Sequence, residues 1–230
     1  MEKEPSNAKI GRPVRVPGEQ DTKKRIFEKA VELFSEYGFD RTTTRQIALS
    51  VGLTEGAIYR HYTGKEAILE AILAFAEESI YTPLPVELNL KENKNESIFS
   101  ALLNPLPEIM LAQPIMIKIM RIIYSEIFHN EKISNFFVKE FVKRADDHVE
   151  ALFRVCIEKG MIRDCDLRIL ARMFNAIRTK WAFETFLITP EEIVSIGRMK
   201  KDLQQISSFL EQAFLSKRGK NHITKMNLFQ

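Results

Sequence analysis

The sequence has 230 residues, enough for one large domain or for a small domain joined to a medium one. Its composition is 45% hydrophobic and 28% charged with only 9 Gly and 9 Pro, which disfavours an all-β protein and favours a helical fold. The net charge of +3 lies at the two ends, because residues 1–65 carry 12 Lys/Arg against 9 Asp/Glu and residues 217–230 carry 4 against none, a pattern that allows a polyanionic partner without demonstrating one.

Three features predict a cytoplasmic location. Residues 1–15 are charged and contain two prolines, so they lack the apolar stretch of a secretory signal. The most apolar run, residues 114–128, contains three charged residues and is too short to span a bilayer. Cys156 and Cys165 form no disulfide framework or metal-ligand spacing, which is typical of a reducing compartment.

The chain begins with a stretch of mixed character, followed by a regular helix. Residues 1–20 combine Gly, Pro and charge without an apolar period, which predicts a flexible basic arm. Apolar residues then recur at helical spacing from Ile26 to Phe34. With Asp21 as N-cap and Gly38 after the last turn, the pattern predicts a first helix over residues 22–37.

Capping signals follow in close succession and predict three short elements. Thr43 and Gln46 form a capping box at the start of a second helix, which Gly52 ends. Thr54 caps a third helix over residues 55–62. A further capping box starts a fourth helix at Lys65, which continues to about Ile80. Later prolines and Gly160 divide the rest into predicted helices near 96–104, 106–128, 132–159, 166–188 and 190–216.

The second helix, the Gly52 turn and the third helix have the form of a helix-turn-helix, which presents its second helix to the major groove of DNA. A glycine permits the sharp reversal between the two helices. We predict that a small core fixes both helices against the first helix, formed by Ile47, Ala48, Val51 and Ile58.

The segment 26–73, about a fifth of the chain, resembles the N-terminal signature of the TetR family of regulators. The specific elements are the run from Ala30 to Phe39, the Thr-Thr-x-x-Ile-Ala stretch at 43–48 and the block from Gly56 to Glu66. This resemblance implies an all-α fold, with an N-terminal three-helix helix-turn-helix DNA-binding domain joined to a C-terminal helical ligand-binding and dimerisation domain. The expected division is a flexible basic arm at 1–20, the DNA-binding domain at 21–66, the ligand-binding and dimerisation domain at 67–216 and a basic tail at 217–230.

The resemblance also implies which side chains meet double-stranded operator DNA. Phosphate contacts are expected from Thr44, Tyr59, His61 and Lys65. Groove-facing positions are expected at Thr54, Gly56 and Ala57, with Arg45, Glu55 and Arg60 beside them. The small residues of the third helix allow close approach to base edges, and a methyl group at position 57 suits contact with thymine.

Three of these residues have a second interpretation. Glu55 is acidic where many family members are neutral or basic; it either reads a cytosine amino group or is a first-turn acid favoured by the helix dipole, and we prefer the latter. Tyr59 alone would suit a partly buried aromatic position, and His61 an ordinary surface position. Only the surrounding block favours phosphate contact for both.

The second half of the chain is expected to supply a dimer interface and an effector pocket. In the family the last two long helices pair in a homodimer, which would make interface candidates of Ala171, Phe174, Ile177, Arg178, Phe186, Leu203, Ile206, Phe209, Leu210 and Phe214. A core inside the protomer is the competing explanation for most of them. Met and aromatic side chains suit an adaptable apolar pocket, although an ordinary core explains them equally well. The pocket candidates are Met110, Met116, Met120, Tyr124, Phe128, Phe137, Phe141, Phe174 and Trp181.

These observations predict a ligand-responsive DNA-binding transcriptional regulator, a repressor released from a palindromic operator by an unidentified small hydrophobic effector, with no cofactor and no metal. The alternatives are an activator or a TetR-fold protein acting through protein contacts. An enzyme is disfavoured, because His148 beside Asp146 and Asp147 lies in no catalytic or metal-binding motif.

Overall fold

The computed structural model describes residues 19–80, 97–184 and 196–217, and these residues form helices and turns with one antiparallel bridge between Ile162 and Leu215. The helices are α1 (Glu19–Tyr37), α2 (Thr44–Ser50), α3 (Glu55–Ile58), α4 (Lys65–Ile80), α5 (Ile98–Leu103), α6 (Leu106–Ala112), α7 (Pro114–Glu126), α8 (Glu131–Phe137), α9 (Ala145–Glu158), α10 (Leu167–Ala182) and α11 (Ile196–Phe214). The all-α prediction is confirmed. The predicted arm, up to residue 18, and the tail from residue 218 lie outside the described residues.

Two predicted helix ends in the first half are wrong. α1 begins at Glu19, so Asp21 lies inside the first turn and does not cap the helix. α3 ends at Ile58 and is followed by turns, where a helix to residue 62 was expected. The amide of His61 bonds to the carbonyl of Ile58 at 2.8 Å, three residues back, so the chain tightens instead of continuing as an α-helix.

Two long helices predicted in the second half are interrupted. The expected helix 106–128 is divided at Gln113, because Pro114 starts a new helix and has no amide to donate to the preceding one. The expected helix 132–159 contains a π-helical segment, Val138–Arg144, between α8 and α9. The predicted helices 166–188 and 190–216 correspond to α10 and α11, and residues 185–195 between them lie outside the described residues.

The buried side chains form two clusters. The first contains buried residues of α1–α4 together with Met116, Ile119, Ile122 and Ile123 of α7. The second joins α5, α9, α10 and α11 around Phe99, Phe153 and Phe174. α7 therefore lies directly against the N-terminal helices and shares their core. The domain boundary expected between residues 66 and 67 stays a prediction.

The second cluster corrects part of the expected dimer interface. Ala171, Phe174, Leu203 and Leu210 are at most 1% exposed inside the protomer, so they are core residues and cannot contact a second copy. Phe209 is 67% exposed and remains available. Among the described residues, no helix combines the length and the apolar character needed to cross a membrane.

Candidate nucleic-acid interface

The start of α2 is fixed by a local pair of hydrogen bonds. The Thr43 hydroxyl accepts from the backbone amide of Gln46 at 3.2 Å, and the Gln46 side-chain oxygen accepts from the Thr43 amide at 2.8 Å. Each side chain thus satisfies an amide that has no partner within the helix. The predicted capping box is confirmed, and it sets the direction in which α2 leaves the turn.

The reversal between α2 and α3 depends on one glycine. Gly52 has φ +73°, a left-handed conformation that favours glycine over residues with a side chain. The amide of Leu53 then donates to the Ala48 carbonyl at 2.9 Å and closes the end of α2. Thr54 precedes α3 with extended backbone as predicted, but its exposed side chain makes no capping hydrogen bond.

Two kinds of contact hold α2 and α3 in place: a buried apolar core and a hydrogen bond from α1. All four predicted core residues, Ile47, Ala48, Val51 and Ile58, are at most 6% exposed. Arg25 of α1 also donates from Nη2 to the carbonyl oxygen of Val51 at 2.8 Å. Both kinds of contact fix the α2–α3 turn against α1, and no local sequence pattern indicates the role of Arg25.

The residues predicted to meet DNA are all at least partly exposed to solvent. Those classed as exposed are Arg45, Thr54, Glu55, Gly56, Tyr59 and Arg60; those that are partly exposed are Thr44, Ala57, His61 and Lys65. Tyr59 is 52% exposed, so part of its surface is accessible to a partner. A Cβ added at Gly56 would meet no atom within 4 Å, so the backbone of α3 is open to an incoming surface.

Lys65, the first residue of α4, has a partner that its sequence position did not indicate. Its Nζ donates to the carbonyl oxygen of Phe39 at 3.1 Å and of Asp40 at 3.4 Å. The same ammonium group lies 4.4 Å from the centroid of the Phe39 ring, a cation–π contact. The start of α4 is therefore tied to the turn that follows α1.

The same turn is held by α7. The backbone amide of Phe39 donates to Oε1 of Glu126, at the last residue of α7, over 2.9 Å. Glu126 is only 8% exposed. Sequence reasoning missed this residue, because the two partners are 87 positions apart and no local pattern relates them.

The predicted pocket residues do not form a single cluster. Met116 belongs to the first buried cluster, whereas Phe174 and Trp181 belong to the second. Phe128 is 89% exposed, so its prediction as a pocket residue is wrong: α7 ends at Glu126, and the side chain lies on the following surface turn. The side chain of Met110 is outside the described ones.

Three of the predicted pocket residues do meet at one place. The ring of Tyr124 lies 5.6 Å from that of Phe137, which stacks on Phe141 at 5.3 Å. Phe183, which was not predicted, lies 5.2 Å from Tyr124. Burial raises the pKa of the Tyr124 hydroxyl above its ordinary value, so the ring is neutral at physiological pH. We call Tyr124, Phe137, Phe141 and Phe183 the aromatic cluster.

Asp146, considered above for an enzyme, and Cys156 are both engaged inside the fold. Asp146 accepts a hydrogen bond from the side-chain nitrogen of Asn175 at 2.9 Å. Cys156 is fully buried, and that burial raises the pKa of its thiol to about 11. Within the described ranges, His, Cys, Asp and Glu side chains do not gather in groups of three that could hold a metal ion.

Comparison with known proteins agrees with this geometry. Residues 26–72 match the model of the bacterial regulatory proteins of the tetR family. The transcriptional regulator SrpR of Pseudomonas putida is 33% identical over 85 residues, which is 37% of this chain and 39% of SrpR. The matched stretch therefore spans well under half of that relative.

Solved structures share the fold of nearly the whole chain. SmeT of Stenotrophomonas maltophilia, solved with triclosan, is 23% identical with a TM-score of 0.60, over 86% of this chain and 93% of SmeT. A proposed transcriptional regulator from Saccharomonospora viridis, solved with choline, is 20% identical with a TM-score of 0.62, over 86% of this chain and 100% of that one. Residues 26–72 are thus similar to the bacterial regulatory proteins of the tetR family, and the chain shares the helical fold of these solved structures.

Proposed function

We propose that the chain is a DNA-binding transcriptional regulator that acts as a homodimer on a palindromic operator and is released by a small hydrophobic effector. The observation that carries this proposal is the helix-turn-helix itself: a buried core fixes α2 and α3, and the ten predicted contact residues are all at least partly exposed. α3 then enters the major groove, as the second helix of this motif does.

The contacts divide into those that position the protein and those that read the sequence. Thr44, Tyr59, His61 and Lys65 grip phosphates, and the free amides at the start of α4 add to that grip. Thr54, Gly56 and Ala57 face base edges, where small residues permit close approach. Arg45 and Arg60 flank them as exposed cations, and Glu55 is a first-turn acid.

A homodimer would place two copies of α3 about 34 Å apart, one turn of the double helix. The exposed apolar side chains of α10 and α11 support this arrangement: Ile169 is 49% exposed, Met173 44% and Phe209 67%. Phe209→Glu would introduce a charge into the interface and dissociate the dimer, which sedimentation experiments would detect as a monomer mass. Val155→Glu on α9, where the native side chain is 40% exposed, is the matched control, and this variant should keep the dimer mass of the wild type.

The effector site is placed at the aromatic cluster. Neutral aromatic rings favour an apolar ligand or one with a diffuse positive charge. Similar proteins solved with triclosan and with choline support a small organic effector of this kind. An effector that prefers a dimer geometry unable to span the operator would shift the population away from the DNA-binding state. Repression relieved in this way is our proposal for the sign of regulation, in a cytoplasmic protein that needs no cofactor.

Two phenylalanines provide a direct test of the effector site. Triclosan and choline are the first probes, and binding is measured by calorimetry. For whichever of these two compounds the wild-type protein binds, Phe137→Ala should weaken binding at least fivefold. Phe128→Ala, on the exposed turn, should not change it. Equal effects of the two substitutions would contradict the placement of the site.

The DNA interface is tested with the hydroxyl of Tyr59, because Tyr59→Phe preserves the ring. The probe is a duplex of the upstream intergenic DNA that wild-type protein shifts in gels with competitor present. Tyr59→Phe should weaken binding at least about tenfold, because one charge-assisted hydrogen bond to a phosphate is lost in each half-site. Lys159→Ala, an exposed lysine after α9, is the control. Unchanged affinity of Tyr59→Phe and Arg60→Ala together would contradict the assigned interface.

A further inference from the structure

The turn between α1 and α2 is held from two directions at one residue. The amide of Phe39 donates to Oε1 of Glu126 at 2.9 Å, and its carbonyl oxygen accepts from Nζ of Lys65 at 3.1 Å. The first partner is the last residue of α7, and the second is the first residue of α4. A single peptide segment therefore connects α7 to the part of the DNA interface that Lys65 forms.

A carboxylate is an unexpected choice at the Glu126 position. Its side chain is 8% exposed and follows Ile122 and Ile123 of the first buried cluster, where an apolar residue would be less costly to bury. It also lies at the C-terminal end of its helix, where the helix dipole disfavours negative charge. Stability alone thus gives little reason for an acid here, whereas a need for a strong acceptor aimed at the Phe39 amide does.

The neighbouring backbone is shaped to admit this acceptor. Gly38 has φ +87°, and a Cβ at this position would lie 3.0 Å from Oε1 of Glu126. Thr42 is buried and donates from its hydroxyl to the Gly38 carbonyl oxygen at 2.8 Å. Thr42 closes the turn on itself, and the amide of Phe39 faces the carboxylate of α7.

We propose that Glu126 is a positioning residue for the DNA interface: through Phe39 it sets the position of the Lys65 ammonium and of the first turn of α4. This inference rests on the proposed DNA-binding function. α7 also packs along α1, and Lys118 of α7 pairs with Glu32 at 3.4 Å, so α7 contacts both α1 and the turn that follows it. What Glu126 supplies is a hydrogen-bond acceptor, so Gln can replace it.

The test combines two substitutions at Glu126 with one at Lys65. The probe is a fluorescein-labelled duplex that wild-type protein selects from a random-sequence pool, and affinity is measured over a range of salt concentrations. Glu126→Met keeps the length of the side chain but removes the acceptor, so it should lower affinity about tenfold. The slope of log affinity against log salt concentration should become shallower by about 1.8, because one phosphate contact, worth about 0.9, is lost in each of the two half-sites. Glu126→Gln should stay within twofold of wild type.

A double-mutant cycle separates positioning from loss of stability. Lys65→Met should flatten the salt dependence to the same extent, and the double substitution should add almost nothing further. Val149→Ala, which removes core volume from the second buried cluster, should lower thermal stability without altering the salt dependence. An unchanged salt dependence in Glu126→Met, or additive losses in the cycle, would overturn the proposal.

A second measurement needs no variant. With the selected duplex bound to wild type, hydrogen exchange of the backbone amides at residues 121–127 should slow, since coupling between two sites is reciprocal. Unchanged exchange there would also overturn the inference. Failure of wild type to select any duplex is a different result: it would remove the DNA-binding proposal itself and this inference with it.

Discussion

The guanidinium group of Arg25 donates to the carbonyl oxygen of Val51 at 2.8 Å and thereby joins α1 to the residue that ends α2. This bond lies beside the Gly52 reversal, so it restricts the orientation of α3 relative to the first helix. A helix of only four residues has little stability of its own. The position of α3 therefore depends on such contacts with longer helices.

Arg25→Met should weaken both the fold and DNA binding. The substitution keeps most of the aliphatic stem but leaves the Val51 carbonyl without this donor, so we expect the free energy of unfolding to fall by about 1 kcal/mol in urea denaturation. Arg154→Met, at an exposed position on α9, should change it by less than about 0.5 kcal/mol. Equal losses in the two variants would contradict a specific role for the Arg25–Val51 bond.

Two threonines that precede helices should behave differently. Thr43 caps α2 with its hydroxyl, so Thr43→Ala should lower the free energy of unfolding by about 1 kcal/mol. Thr54 makes no capping bond, so Thr54→Ala should leave stability nearly unchanged and instead weaken binding to the selected duplex. Denaturation and binding titrations on both variants check this pair. A loss of stability in Thr54→Ala as large as that in Thr43→Ala would refute the distinction.

Two glycines of the helix-turn-helix give a second contrast. Gly52 has φ +73°, so Gly52→Ala should destabilise the fold by about 1 kcal/mol through backbone strain. Gly56 lies in α3 with open space around it, so Gly56→Ala should be neutral or stabilising in the free protein. If α3 approaches base edges closely, the added methyl group should still reduce DNA affinity. Thermal melting together with binding titrations measures both effects, and unchanged affinity in Gly56→Ala would argue against close approach.

Glu140, in the π-helical segment, should make stability depend on pH. Burial acts to raise the pKa of this carboxyl, but hydrogen bonds from Lys139 and Arg144 outweigh it and hold the pKa below its ordinary value of 4.5. Because the pKa of Glu140 is lower in the folded state than in the unfolded state, the ionised carboxylate stabilises the fold, and this contribution is fully present above pH 4.5. The contribution disappears as the pH falls from 4.5 through the folded-state pKa.

The measurement is urea denaturation of wild type and Glu140→Gln between about pH 7 and pH 3. The variant should be less stable than wild type by about 1 kcal/mol at neutral pH, because Lys139 and Arg144 each lose an ionised partner, and the difference should shrink in acid. Glu158→Gln, at an exposed position on α9, is the control. A constant difference across the range would show that ionisation of Glu140 does not contribute.

Local features of the site could be predicted from the sequence. The Thr43–Gln46 capping box and the Gly52 reversal depend on residues a few positions apart, and their physical chemistry does not require knowledge of the rest of the fold. The burial of Ile47 and Ile58 followed from helical spacing in the same way. These elements define the helix-turn-helix.

Features set by tertiary packing could not be predicted. The partners of Phe39 are 26 and 87 residues away, and no periodic pattern relates Lys65 or Glu126 to that amide. The exposure of Phe128 follows from the end of α7 two residues earlier, which the apolar run does not mark. Helix ends are determined by such contacts as much as by propensity.

The most direct test of the central claim is selection of DNA from a random-sequence pool by the purified wild-type chain, followed by sequencing. The account predicts an inverted repeat whose half-site centres are about 10 base pairs, one turn of the double helix, apart, and whose enrichment Tyr59→Phe reduces. A pool that shows no enriched sequence in moderate salt, from protein that is folded and dimeric, would contradict the proposal that this chain is a sequence-specific DNA-binding regulator.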